Sequence, residues 1–136
     1  ETALHREFIR SNQYQLPLTV TVIKLDRYVF LNQTGQRLYG SALISLLKKN
    51  LEETEMIFRY RYDGTFAVIS PMKRQKEVLE NLRRIEGEFN RIAGESGVPN
   101  STNLQLVYAA CERIEKTNGV SDLINPALEA CRLGQI

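Results

Sequence analysis

Metal-binding and nucleophilic side chains are scarce: the sequence holds one histidine, His5, and two cysteines, Cys111 and Cys131. The cysteines show no Cys-x-x-Cys spacing and no histidine lies near them, so neither a zinc site nor a Cys/His nucleophile can be assembled. They read instead as two small buried thiols in a reducing compartment, the cytoplasm. No apolar run approaches the ~20 residues needed to span a bilayer, and no signal-peptide pattern opens the chain. Charge of one sign is also missing: 18 basic side chains stand against 16 acidic ones, a formal net charge of +2. That balance argues against nucleic acid and against direct membrane contact as partners. With 43% hydrophobic and 25% charged residues, the composition excludes collagenous, disordered and disulfide-scaffold chains. The 136 residues suffice for one hydrophobic core and not for two, so residues 1–136 are expected to form a single domain. Its abrupt start at Glu1 suggests a domain excised from a longer protein.

Residues 4–14 place Leu4, Phe8 and Ile9 on one helical face before Pro17 stops the pattern, which predicts a lead-in helix. From Leu18 to Leu25, β-branched residues dominate and Leu18, Val20 and Val22 alternate with Thr19 and Thr21, as in a sheet strand. This first strand is expected to be central. Residues 27–33 read as a short helix broken at Thr34-Gly35. Ser41 then reads as the N-cap of a second helix carrying Leu43, Leu46, Leu47 and Leu51 on one stripe.

Two apolar, β-rich runs, MIFRYRY and TFAVIS, are separated by Asp63-Gly64. An Asp-Gly pair in that setting predicts a hairpin with a two-residue type I′ turn, which needs positive φ at both central positions. After Pro71, Val78, Leu82, Ile85, Phe89 and Ile92 recur at helical spacing, and Gly94 and Gly97 end the pattern. NLQLVYAACERI reads as a further strand, Asn118-Gly119 as a turn, and VSDLINPALEACRLG as a closing helix ending at Gly134. The order contains βαββαβ and predicts an α+β fold with a ferredoxin-like core, a largely antiparallel sheet flanked by helices.

The run PLTVTVIKLDRYVFLNQTGQRLYGSALISLL resembles the opening of a GGDEF (diguanylate cyclase) domain. The family pattern there is a strand ending in Asp-x-Asp, an aromatic, then Asn, and later Gly-Asp before a leucine-rich helix. RYRYDGTFAVI resembles the hairpin that carries the signature loop, and INPALEACRLGQ resembles the closing helix, which usually ends near Lys-x-x-Gly. The resemblance spans essentially the whole chain and implies the nucleotidyl cyclase-like fold. It rests on the order and spacing of these motifs together.

What the resemblance implies for function depends on each position. The first Asp of Asp-x-Asp, which holds divalent metals in active members, is Lys24 here, and an ammonium cannot coordinate Mg²⁺. The second is kept as Asp26. A basic position that contacts phosphate matches Val29. The guanine-contacting Asn is kept as Asn32, while its Asp partner in Gly-Asp becomes Ser41 of Gly40-Ser41. Guanine presents adjacent N–H donors that a carboxylate accepts well and a hydroxyl accepts poorly. Aligned on Phe66, the signature loop becomes Tyr62-Asp63-Gly64-Thr65-Phe66; aligned on Arg61-Tyr62, it is one residue short. Either way the acidic catalytic position has no carboxylate, and a bulky residue replaces a glycine that lets backbone approach the nucleotide. The inhibitory cyclic di-GMP site, Arg-x-x-Asp, falls at Glu53 to Met56 or one residue later, where neither end matches.

Several residues admit a second reading. Asp63 fits a surviving metal ligand, but turn geometry alone explains Asp-Gly. Arg59 and Arg61, alternating with Tyr60 and Tyr62, read as a nucleotide-stacking face or as the polar side of a strand. Asp26 and Asn32 read equally as remnants of a guanine pocket or as caps of a loop and helix. The basic clusters at residues 73–76 and at Arg83-Arg84 read as solvated helix faces. Phosphoryl transfer of this kind relies on metal ions and positioned charge, so the expectation is a degenerate, inactive domain with no catalytic residues, metal or cofactor. Two roles compete: a regulatory or protein-interaction module in bacterial cyclic di-GMP-type signalling, docking with other domains of its parent or with a protein partner, and a module that senses GTP or cyclic di-GMP without turnover.

Overall fold

In the computed structural model, residues 2–61, 63–95, 104–114 and 117–133 are described. The elements run α1 (Thr2–Tyr14), β1 (Leu18–Asp26), a single 3₁₀ turn (Tyr28–Phe30), α2 (Gln33–Asn50), β2 (Met56–Arg61), β3 (Thr65–Pro71), α3 (Gln75–Glu95), β4 (Gln105–Glu112) and α4 (Ser121–Leu133). The four strands form one sheet in the order β2-β3-β1-β4, and every pairing is antiparallel. β1 is internal, as its sequence suggested, with Val22 facing Ala67 on one side and Ala109 on the other.

Helices cover both faces of the sheet, and the period-2 alternation of the strands sorts their side chains between two cores. Ile23, Leu25, Phe66 and Val68 pack against α2 and α3, where Tyr39 and Phe89 meet edge to face with centroids 6.2 Å apart. Val20, Val22 and Ile69 pack against Leu4 and Phe8 of α1 and Leu123, Ile124, Ala127 and Cys131 of α4. Because both faces are covered, Thr19 and Thr21 are buried too, rather than lying on a polar side of β1. Thr19 donates its hydroxyl to the Lys73 carbonyl at 2.8 Å, while the Thr21 hydroxyl has no partner among the described residues.

Four local expectations are corrected. Ser41 does not cap a helix: α2 begins at Gln33, capped by Asn32, and Ser41 is an exposed position in its interior. Thr34-Gly35, taken as a break, lies inside α2, where the buried Gly35 costs about 1 kcal/mol relative to alanine, and the short helix before it shrinks to the 3₁₀ turn. The hairpin forms, but its last pair is Arg61 with Thr65, which leaves three residues between the strands rather than two. A register shift between Arg59 and Arg61 absorbs the extra residue. Finally, Ile9 is 52% exposed, and Ser11 takes the buried place beside Leu4 and Phe8.

α3 buries Val78, Leu82, Ile85, Phe89 and Ala93, with Ile92 partly buried, and it runs through Gly94 to Glu95. Gly97 and Gly134, expected as helix ends, lie outside the described residues, as does Tyr62. Asn118 and Gly119 lead into α4, with the Asn118 N–H donated to the Asp122 carboxylate at 2.9 Å. Pro126 sits within α4 and has no N–H to give the Asp122 carbonyl. The Cys111 thiol approaches that carbonyl instead, at 3.8 Å. Of the two thiols expected in the core, only Cys131 is fully buried; Cys111 is half-buried.

Candidate functional site

Three segments converge beyond the end of β1: the 3₁₀ turn with the first turns of α2, the tip of the β2–β3 hairpin, and the last residues of β1 itself. Lys24 pairs in register with Thr65, and its Nζ lies 3.5 Å from Asp63 Oδ2. The Thr65 hydroxyl, buried, donates to Asp63 Oδ1 at 2.7 Å. Partial burial alone would raise the Asp63 carboxyl. The Thr65 hydrogen bond and the Lys24 charge outweigh it and hold the group below its ordinary value. Asp63 therefore does more than shape a turn.

This donor set does not fit a divalent cation. Mg²⁺ needs several oxygen ligands in near-octahedral array, whereas the single carboxylate here is already shared between a hydroxyl and an ammonium. Among the described residues, no group of three or more His, Cys, Asp or Glu side chains is placed to hold a metal.

Tyr28 organises the rest of the site. Its backbone carbonyl accepts from Gln36 Nε2 at 3.2 Å, and its ring lies against the hairpin tip. Gly64 has φ +90°, and a Cβ there would fall 2.8 Å from both Cβ and Cγ of Tyr28. Only glycine combines that conformation with that approach. The Gly64 carbonyl accepts from the Leu25 N–H at 3.0 Å, fastening the tip to β1. On its other side the Tyr28 hydroxyl faces Gly40, where a Cβ would stand 3.6 Å from it and 3.8 Å from Arg59 Nη2. The Arg59 guanidinium lies over the Phe66 ring, 5.2 Å from its centroid.

The remaining predicted positions are dispersed. Asn32 Oδ1 accepts from the Gly35 N–H at 2.7 Å, a helix cap. Asp26 ends β1 opposite Gln105, Val29 is 58% exposed on the 3₁₀ turn, and Ser41 is exposed on α2 beside Gly40. Sequence reasoning took Cys131 only as a buried thiol. Counting Lys-x-x-Gly back from Gly134 puts the lysine of that pattern at Cys131. Its thiol is turned inward, donating to the Val22 carbonyl at 3.2 Å. Burial pushes it up to about 11, against the smaller opposing effects of a backbone hydrogen bond at Ala109 and the Lys24 charge. Its burial was expected from the sequence; its place at the lysine position of the family pattern was legible in the spacing but not read.

The segment matching the inhibitory motif is also built for another purpose. The Glu55 side chain, 2% exposed, lies 3.3 Å from Lys73 Nζ, accepts from Ser70 Oγ at 2.6 Å and accepts from the Glu52 N–H at 3.1 Å. Lys73 also lies 3.4 Å from Glu52. Burial would lower the Lys73 ammonium, but these carboxylates raise it above its ordinary value.

A four-stranded antiparallel sheet in the order β2-β3-β1-β4, with helices on both faces, defines an α+β domain of the ferredoxin-like class. Within that class the fold is that of GGDEF domains. The chain is similar to the GGDEF domain of DgcB from Caulobacter crescentus, solved in complex with cyclic di-GMP, with TM-score 0.81, 19% identity, and coverage of 98% of this chain and 81% of that one. It is similar to the active GGEEF domain of a diguanylate cyclase from Vibrio cholerae, with TM-score 0.82, 13% identity, and coverage of 97% and 85%. It is likewise similar to the FimX GGDEF domain from Pseudomonas aeruginosa, with TM-score 0.82, 18% identity, and coverage of 98% and 84%. No protein-family model matches the sequence, and no curated protein does. Among the described residues, no helix is long and apolar enough to cross a membrane.

Proposed function

We propose that this chain is a degenerate GGDEF-like domain that acts in the cytoplasm as a noncatalytic regulatory module of bacterial cyclic di-GMP-type signalling. It would work as one domain of a longer protein, through contacts with neighbouring domains or a protein partner. The observation that carries this reading is the Lys24–Asp63 pair, 3.5 Å apart, at the position where an active cyclase holds its metal. A lysine there supplies positive charge without the open coordination sites that polarise a phosphoryl group, and in the alignment on Phe66 the acidic loop position holds no carboxylate. The Glu55–Lys73 network argues in the same direction for the inhibitory site, because the segment carries carboxylates there, and these are engaged by Lys73 within the domain.

The test is direct. The purified domain is incubated with GTP and Mg²⁺ or Mn²⁺, and cyclic di-GMP is measured by mass spectrometry. No product above the enzyme-free blank is expected over hours. Formation of more cyclic di-GMP than there is protein would overturn the proposal.

A further inference from the structure

We infer that α1 is a releasable strap: it is held to the sheet through one buried guanidinium that no carboxylate neutralises, and it undocks as a unit while the sheet stays folded. Arg113 follows β4 and is 8% exposed. Its N–H donates to the Leu18 carbonyl at 2.8 Å, which fixes its backbone beside the start of β1. The side chain reaches across to the end of α1. Nε donates to the Ser11 hydroxyl and Nη2 to the Leu16 carbonyl at 3.4 Å, while Nη1, also buried, has no partner among the described residues. None of the ion pairs among those residues includes Arg113.

A guanidinium cannot shed its charge by deprotonation in a protein, and taking one out of water is costly unless an anion and a full set of acceptors offset the loss. Here only one hydroxyl, one carbonyl and the negative end of the α1 dipole do so. The junction around it is loosely matched as well. Gln15, in the turn that closes α1 with the Leu16 N–H donated to the Ser11 carbonyl at 3.0 Å, holds φ +53°, a left-handed conformation that strains a residue with a Cβ. A cavity of about 10 Å³ lies between Ser11, Leu16, Pro71 and Met72. Among residues 3–14 only Leu4, Phe8 and Ser11 are buried, so two apolar side chains oppose release, whereas release hydrates Arg113 and lets Gln15 relax. The Ser11 hydroxyl also donates to the Leu16 carbonyl at 2.5 Å, so those two groups satisfy each other without Arg113. A neutral side chain at position 113 therefore removes the buried charge and orphans neither of them.

Hydrogen exchange of the 136-residue chain, followed by mass spectrometry at increasing urea below the unfolding transition, reads the release directly. Peptides of α1 are expected to exchange through an opening whose urea dependence is measurable yet shallower than that of β1 peptides. Arg113→Met is expected to raise α1 protection roughly tenfold, as replacement of buried ions by apolar groups does. Arg113→Gln, neutral and still able to donate to Ser11, guards against a packing defect and should move α1 in the same direction; a gain in either variant supports the assignment. If α1 shares the urea slope of β1, it leaves only with the whole fold, and if its exchange ignores urea, it frays residue by residue; either result overturns its release as a unit. Unchanged or lower α1 protection in both neutral variants, or failure of both to fold, would show that the charge braces α1 and would refute the role of Arg113.

Discussion

Replacing Lys24 by Met tests whether the Lys24–Asp63 pair is a working interaction. Methionine keeps the length and apolar stem while removing the charge. At 3.5 Å and an effective dielectric of about 20, the Coulomb attraction is roughly 5 kcal/mol, an upper bound before desolvation and screening. The Asp63 side chain is 35% exposed, so most of that is lost to solvent, and the net cost of the substitution is expected near 1 kcal/mol. The pH dependence fixes the mechanism. Asp63 is lowered from its ordinary 3.8, so its contribution is fully present above that value and is lost as pH falls through the still lower folded-state value. Urea unfolding of wild type and Lys24→Met should therefore differ by a constant amount from pH 6 to 8, and the difference should shrink below about pH 4. It should also shrink in 1 M salt, because the pair is partly exposed. A Lys24→Met variant as stable as wild type at pH 7, or a difference unchanged at pH 3.5, would refute the reasoning.

Gly64→Ala should cost about 2–3 kcal/mol, combining the strain at positive φ with the collision against Tyr28, and the cost should fall by about half in a Tyr28→Gly background, which removes both the Cβ and the Cγ the new methyl would meet; a double-mutant cycle by chemical denaturation reads this directly. Thr21→Val should stabilise the domain by about 1 kcal/mol, because it removes a buried hydroxyl that lacks a partner among the described residues while nearly preserving shape; a lower urea midpoint would show that the hydroxyl is satisfied in solution. With its thiol raised to about 11 and buried, Cys131 should resist alkylation in the native state and react only on unfolding, while half-buried Cys111 reacts first; mass spectrometry of iodoacetamide adducts distinguishes the two.

Periodicity made much of the fold legible. The alternation in β1, the Asp63-Gly64 hairpin signal and the long stripe from Val78 to Phe89 each report a local geometry that neighbours reinforce. The misreadings came where distant contacts overrode local preference. Thr34-Gly35 read as a helix break, yet Gly35 lies inside α2, and Gly40 further along it faces Tyr28 and Arg59. The two-residue turn failed because the bulge near Arg59 is a property of the pair of strands, invisible in either alone. In the site, Lys24 drew attention because it stands where the resembled family has its metal-holding Asp, but its partner Asp63 was assigned to a turn, since an ion pair across a sheet leaves no sequence period. Likewise Glu55 and Lys73 come together only through the packing of β2, β3 and the start of α3.

Tyr28 gives the domain a mechanical hinge pin. β1 is held on both edges by its neighbours, whereas Gly64 of the hairpin tip and Gly40, two turns into α2, lie on either side of the Tyr28 side chain, each turning the place of its missing Cβ towards it. Displacement of either arm must slide or tilt that ring against the other. A load on the hairpin tip would therefore meet that ring before it met the sheet.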